Sequence, residues 1–324
     1  MRYRRLGSTD LECSVIGLGC SRIGSLSGGV GGSAACRLLR EAFDQGINVF
    51  DTADIYGQGD SERALGELSA SCKQRVIIMT KGGYRFGPIG SSRVRVKALM
   101  RSVVRMLPGS KQLISRARAS VARQDFSKAY LTGAIEGSLR RLRRDFLDVF
   151  LLHSPNRGTI ESEEPFDLLE SFKAAGKIRY YGVSCQTVED ALACLNRPTI
   201  SVLQVRMNPI DRRSIDQVLP RTREVSIAVV AREVFANGSL FTVRPAKPYS
   251  LACATSFDTQ AMRIPQSSGD QGMARGAVRF VLRQEGVSLA LVGTTNLLHL
   301  RESIAEIEAP SLNPVKAPVL RFAP

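Results

Sequence analysis

Eight short apolar runs, each followed by a stretch of helical periodicity, constrain the fold of this chain more than any other feature. The runs cover residues 15–20, 48–53, 76–81, 148–153, 178–184, 202–208, 227–232 and 289–294. Rich in Val, Ile and Leu and bounded by turn residues, they read as strands buried on both faces. Between them SAACRLLREAFDQG, SERALGELSA, AYLTGAIEGSLRRL, PFDLLESFKAAGK, TVEDALACLN and MARGAVRFVLRQEG place apolar side chains at helical spacing. Repeated β/α units of this kind predict an α/β fold, a (β/α)8 TIM barrel, with a doubly wound sheet as the alternative. Ahead of the first run, RYRRLGSTDLECS reads as an N-terminal β-hairpin about a Gly-Ser-Thr-Asp turn. No linker divides the sequence, so residues 1–324 are expected to form one barrel domain.

One interval breaks the rhythm. Lys81 and His153 end consecutive barrel runs but lie 72 positions apart, where one strand-helix-strand step takes about 30 residues. The surplus falls in 84–124, whose RVRVKALMRSVVRML and KQLISRARASVAR predict a basic, amphipathic helical pair inserted after the third strand. The formal net charge is +15, and between Arg85 and Arg144 there are 15 Lys or Arg against two acids, so 13 of the excess charges sit in this part of the chain. Such a run is most simply a solvated helical face. The active readings are a lid or oligomer contact that favours an anionic substrate, or a surface for an acidic partner. Nucleic acid is disfavoured, because beyond Tyr84 only Phe86 supplies an aromatic ring for stacking.

The seven cysteines are odd in number, scattered, and form no CxxC or Cys/His cluster. A reduced, cytoplasmic chain without a metal site is the simplest account. No run approaches the roughly 18 apolar residues of a membrane span, and MRYRRLGSTD lacks the apolar core of a secretion signal. The Gly-rich start GLGCSRIG puts Arg22 where the third glycine of a dinucleotide-binding GxGxxG belongs, which disfavours a Rossmann site.

Strand C-termini of a parallel barrel open onto one face, so polar groups at those ends converge. Asp51 and Tyr56 in FDTADIYG, Lys81 in VIIMTKGG and His153 in FLLHSP are placed to meet there. Taken singly, the tyrosine reads as packing, the lysine as solvated, the aspartate as a helix cap and the histidine as a satisfied core residue. Together, an acid, a phenol, an ammonium and an imidazole suit proton transfer to a carbonyl oxygen.

The same residues belong to a wider pattern. Asp51-Thr52-Ala53, Tyr56-Gly57, Ser61-Glu62 and Leu65-Gly66 resemble the DTAxxYGxxxSExxLG signature of the aldo-keto reductases. MTKGG, LLHSP, GVS at 182–184, QVRMN at 204–208 and GTTNLLHLRES at 293–303 match later blocks in order. The resemblance implies a (β/α)8 barrel, a nicotinamide cofactor held without a Rossmann fold, usually NADP with NAD as the alternative, and hydride transfer between nicotinamide and a small-molecule carbonyl or alcohol. Tyr56 would be the general acid or base, Lys81 the cation that lowers its pKa, Asp51 the support of Lys81, and His153 the group orienting the substrate oxygen. For the cofactor it implies Ser184 and Gln204 at the carboxamide, with Leu240 folding over it, and Gly293, Thr294, Thr295, Asn296, His299 and Glu302 at the adenosine phosphate and adenine.

Several positions depart from the pattern. Cys185 stands where GVSN carries Asn, which removes one carboxamide hydrogen bond. Arg232 replaces an aromatic residue and could lay its guanidinium on the nicotinamide. Glu233 replaces a Ser at the pyrophosphate, where a carboxylate repels unless a cation pairs with it. Ser303 replaces the closing Asn. A barrel of this kind also serves as a cofactor-sensing subunit with little turnover, the alternative to an enzyme.

Overall fold

In a computed structural model the described residues are 1–25, 29–72, 76–86, 122–242 and 269–308. Eight parallel strands close a barrel: β3 (Ile16–Gly19), β4 (Val49–Asp51), β5 (Ile77–Gly82), β8 (Leu147–His153), β9 (Ile178–Ser184), β10 (Val202–Arg206), β11 (Ala228–Arg232) and β12 (Val287–Val292). β12 pairs with β3 through Ala290↔Ile16 and Val292↔Leu18, which completes the ring. The fold is the expected (β/α)8 barrel. The last strand begins two residues earlier than expected and stops at Val292, because the Thr294 hydroxyl accepts a hydrogen bond from the Asn296 amide and turns the chain. The third barrel strand runs one residue past Lys81, and β10 ends at Arg206, where the Asn208 carboxamide oxygen accepts the Ile210 and Asp211 amides and closes a turn.

The N-terminal hairpin is present as β1 (Tyr3–Arg5) and β2 (Glu12–Ser14), in register Tyr3↔Ser14 and Arg5↔Glu12. Leu6, Leu11 and Cys13 from this hairpin pack on Val49, Ile77, Met79, Val149, Leu151, Val230 and Leu289 in one buried cluster. The alternate residues of the same strands, among them Phe50, Ile78, Phe150, Leu152, Leu203 and Val229, join the helices in a larger outer layer. Each such fully buried aliphatic or aromatic side chain contributes about 1.5–3 kcal/mol. Apolar residues are therefore needed on both faces of every strand, which is why the runs carry no polar alternation.

The helices Ser33–Asp44, Asp60–Ser71, Lys128–Leu142, Glu164–Ala174, Val188–Cys194, Gly269–Leu282 and Leu297–Ala305 lie where the periodicity places them, and short helices Arg157–Glu161, Arg213–Gln217 and Leu219–Glu224 are added. The helix opening near Asp125 starts at Lys128, with the Ser127 hydroxyl accepting the Tyr130 amide as its cap. The basic helical pair expected within 84–124 lies outside the described residues, apart from its two ends. Those ends are paired: β6 (Tyr84–Phe86) and β7 (Ala122–Gln124) form an antiparallel ribbon, Tyr84↔Gln124. Gly83 sits at φ +135, and a side chain there would strike the Phe126 ring, so this root has room only for glycine. Among the described residues no helix is long and apolar enough to cross a membrane.

Candidate active site

Asp51, Lys81, His153, Ser184, Arg206 and Arg232 each end, or nearly end, a barrel strand, all at the same mouth. Lys81 is 1% exposed. Its ammonium donates to Asp51 Oδ2 at 2.7 Å and to the Thr52 carbonyl at 2.8 Å. Burial alone pulls an ammonium toward neutrality, but the Asp51 carboxylate and the Tyr56 phenol outweigh it and leave Lys81 above its ordinary value. The second Asp51 oxygen accepts from Gln204 Nε2 at 2.7 Å, and Gln204 Oε1 accepts from Ser184 Oγ at 2.9 Å. A continuous buried chain thus runs from Lys81 through Asp51 and Gln204 to Ser184.

Tyr56 begins a one-turn 3-10 segment, Tyr56–Gly59. Gly57 has φ +58, and a Cβ on it would meet the Gly24 backbone at 2.8 Å. Only glycine lets the two loops touch here, and that contact holds Tyr56 over the mouth. Lys81 Nζ lies 5.1 Å from the Tyr56 ring centroid, where its charge and the phenol act on one another. Burial raises the phenol, while Lys81 acts in the opposite sense. His153 stands edge-on to Tyr56 at 5.8 Å between ring centroids. Burial, then the charges of Lys81 and Arg232, hold His153 well below the usual imidazole range, so it is neutral. The four residues expected to converge are therefore together.

The other half of the mouth is organised differently. β10 and β11 are in register Arg206↔Arg232, which sets two guanidiniums side by side. Glu233, at φ +56, follows Arg232 and forms ion pairs with both, the one to Arg206 at 2.8 Å. Its backbone carbonyl accepts from Asn208 Nδ2 at 3.1 Å and from the Ala236 amide at 2.8 Å. Arg232 also donates to the Cys185 carbonyl at 2.7 Å. Cys185 thus offers this cluster its carbonyl, while its thiol is buried 4.0 Å from Cys194 Sγ and, by that contact and by burial, is held well above the usual thiol range. Leu240 is wholly buried in the outer core layer.

At the last barrel strand, Gly293 and Asn296 are exposed and Thr294 and Thr295 half-buried. Asn296 caps the helix Leu297–Ala305 by accepting the Leu298 amide. His299 is exposed, Glu302 half-buried, and the Ser303 hydroxyl is turned back on the His299 carbonyl at 2.9 Å. Arg301, the nearest cation on that helix, pairs with Glu41.

Sequence reasoning passed over Arg206, Asn208, Asp54 and Tyr84. Arg206 and Asn208 lie in QVRMN beside Gln204, and their position at a strand end was the available signal. Tyr84 packs edge-on against His153 at 5.0 Å between centroids; the paired ribbon that carries it has no local sequence signal.

A model of the aldo/keto reductase family matches residues 15–315. The chain belongs to the aldo/keto reductase family. Among curated relatives it is 30% identical to the oxidoreductase YqkF of Bacillus subtilis strain 168, over 96% of this chain and 93% of that one. Among solved structures it is similar to the holo form of aldo-keto reductase AKR11C1 from Bacillus halodurans, with TM-score 0.73, 25% identity, and coverage of 98% and 93% of the two chains. A Klebsiella pneumoniae aldo/keto reductase solved in complex with NADP and acetate shares the fold at TM-score 0.64 and 22% identity, over 94% of this chain and 88% of that one. As an aldo/keto reductase, this protein is of the oxidoreductase class.

Proposed function

We propose that the protein is an NADP(H)-dependent oxidoreductase that moves hydride between nicotinamide and a carbonyl or alcohol carbon, with Tyr56 as general acid and base. The observation that carries this reading is the buried Asp51–Lys81 pair with its ammonium over the Tyr56 ring and neutral His153 alongside.

The polar groups fit a nicotinamide nucleotide. After their mutual bonds, Gln204 keeps one N–H and Ser184 and Gln204 keep oxygen lone pairs, which suits a carboxamide that needs both donors and acceptors. Arg232, with Arg206 behind it, suits the nicotinamide face and the pyrophosphate, and the helix start at Thr294, Thr295 and Asn296, with His299 and Glu302, suits the adenosine end. When bound, such a cofactor supplies or accepts the hydride.

The chain's own residues do the rest. In reduction, negative charge grows on the carbonyl oxygen, and Tyr56 gives it a proton. Lys81 stabilises the phenolate left behind, and Asp51 keeps that ammonium charged and in place. Neutral His153 orients the oxygen without a competing positive charge. In oxidation the phenolate accepts the proton.

The test is a titration of purified protein with NADPH and NADH, read by tyrosine emission and energy transfer to the nicotinamide, with Tyr56→Phe beside it. Saturable NADPH binding by both proteins, with carbonyl reduction by the native protein alone, is expected. Binding of neither nucleotide would defeat the reading and move an acidic-partner role of 84–124 to the front.

A further inference from the structure

The Tyr130 hydroxyl makes two contacts that one proton cannot serve. It lies 2.9 Å from Asp54 Oδ2 and 2.5 Å from the Tyr84 carbonyl oxygen. The carbonyl can only accept, and the shorter contact marks it as the recipient of the Tyr130 proton. The contact with Asp54 is then a hydrogen bond only if the carboxyl carries a proton and donates it to Tyr130.

The surroundings favour that neutral acid. Among the described residues Asp54 Oδ1 is buried without a hydrogen-bond partner, a costly position for a carboxylate oxygen. The cations nearby are engaged elsewhere: Arg141 donates to Glu62 at 2.5 Å, and Lys81 is bound to Asp51 and Thr52. Glu62, facing Asp54 from the helix Asp60–Ser71, adds a second negative charge and itself accepts from Thr80. Asp125, at the foot of the helix that carries Tyr130, pairs with Arg85.

We propose that Asp54 is a positioning residue that acts as a neutral carboxylic acid, donating to Tyr130, which donates to the Tyr84 carbonyl, so that the root of the insertion is latched to the barrel mouth and the Tyr84 ring is held against His153. Asp54 is well placed for this, because its own amide donates to the Lys81 carbonyl at 3.0 Å, two residues before Tyr56. Burial is the main force on its carboxyl, pushing it, with the charge of Glu62, up to about 7 against the pull of Tyr130, Arg141 and the Ile55 backbone. On ionisation the carboxylate accepts the Tyr130 O–H as a hydrogen bond, the phenol keeping its proton, and the Tyr84 carbonyl loses its donor. The ribbon then keeps its tie to the barrel from Gln124 to the Ser154 carbonyl, while Gln124 to the Tyr84 hydroxyl and the Asp125 amide to Gly83 hold the ribbon itself together. The latch bears on function through the proposed role of His153, but its test does not depend on turnover.

The chain contains only two histidines, so ligand-free protein labelled with 13C at histidine Cε1 gives two ring signals. A His299→Asn variant assigns the one from His153. His153 itself binds a proton only well below its usual range, so any movement near neutrality reports its neighbours. The expected result is a sigmoidal shift of the His153 signal with its midpoint near pH 7. It should vanish in Asp54→Asn, whose amide donates to Tyr130 at every pH, and in Tyr130→Phe. A His153 signal that stays flat from pH 6 to 8.5, or moves with the same midpoint in Asp54→Asn, overturns the latch.

Discussion

The two halves of the barrel mouth solve their electrostatics in opposite ways. On the β4–β8 side, one ammonium and one carboxylate are buried together, and each partner is in turn held by a neutral group, Thr52 or Gln204. On the β10–β11 side, two guanidiniums brought together by strand register share one carboxylate on a left-handed backbone. The first half keeps every residue of the family signature, and the second departs from it at Cys185, Arg232 and Glu233. Proton transfer needs particular groups at particular separations. Holding a flat ring and a phosphate needs only cations and hydrogen-bonding groups that several residues can supply. Chemistry is constrained at the atom, binding at the level of charge and shape.

Lys81→Met should disturb the β4–β8 half of the mouth most. It leaves Asp51 buried without its cation, which should cost about 3–5 kcal/mol of stability and abolish carbonyl reduction. Denaturant unfolding beside steady-state rates measures both, and Asp51→Asn combined with Lys81→Met should recover stability but not activity. Next in size, Tyr56→Phe should lower the reduction rate by about 10²–10⁴-fold while NADPH affinity stays within a few-fold; a matching loss of binding would place Tyr56 among the binding groups instead.

The second half should respond more gently and in the opposite direction. Glu233→Ser removes the anion between Arg206 and Arg232, and NADPH should bind about tenfold tighter, equivalent to about 1.4 kcal/mol. Weaker binding would mean that Glu233 is needed to hold Arg232 in place. Smallest is Cys185→Asn, which installs the residue the family pattern carries. The thiol points into the core against Cys194, so the amide should be buried without partners, costing about 1–3 kcal/mol and giving no gain in affinity. A tighter NADPH complex from this variant would show that the side chain reaches the mouth after all.

What could be read from the chain, and what could not, divides along the distance over which each feature is decided. The barrel strands were legible because burial on both faces requires an unbroken apolar run, a property of six or seven consecutive residues. Asp51, Lys81 and His153 were legible because each sits at or beside the end of such a run, and a parallel barrel brings all those ends to one mouth. Tyr56 followed from the glycine beside it and the motif that contains both. The ribbon of β6 and β7 was missed, since two three-residue strands separated by the whole insertion carry no pattern of their own. The Arg206–Arg232 pair depends on register between two strands, and the thiol of Cys185, one residue past β9, faces the outer layer against Cys194 because successive side chains leave extended backbone on opposite sides.

Element order, the closed barrel and the four groups that the mouth brings together are therefore written along the chain, because local periodicity and strand-end position encode them. Long-range packing sets which carboxylate neutralises the paired arginines, which way Cys185 faces, and that Tyr130 joins Asp54 to Tyr84 across 76 and 46 positions of chain. Those outcomes depend on a few ångströms of approach between distant segments, and hydrogen bonds and desolvation are sensitive at that scale, whereas apolar patterning is not.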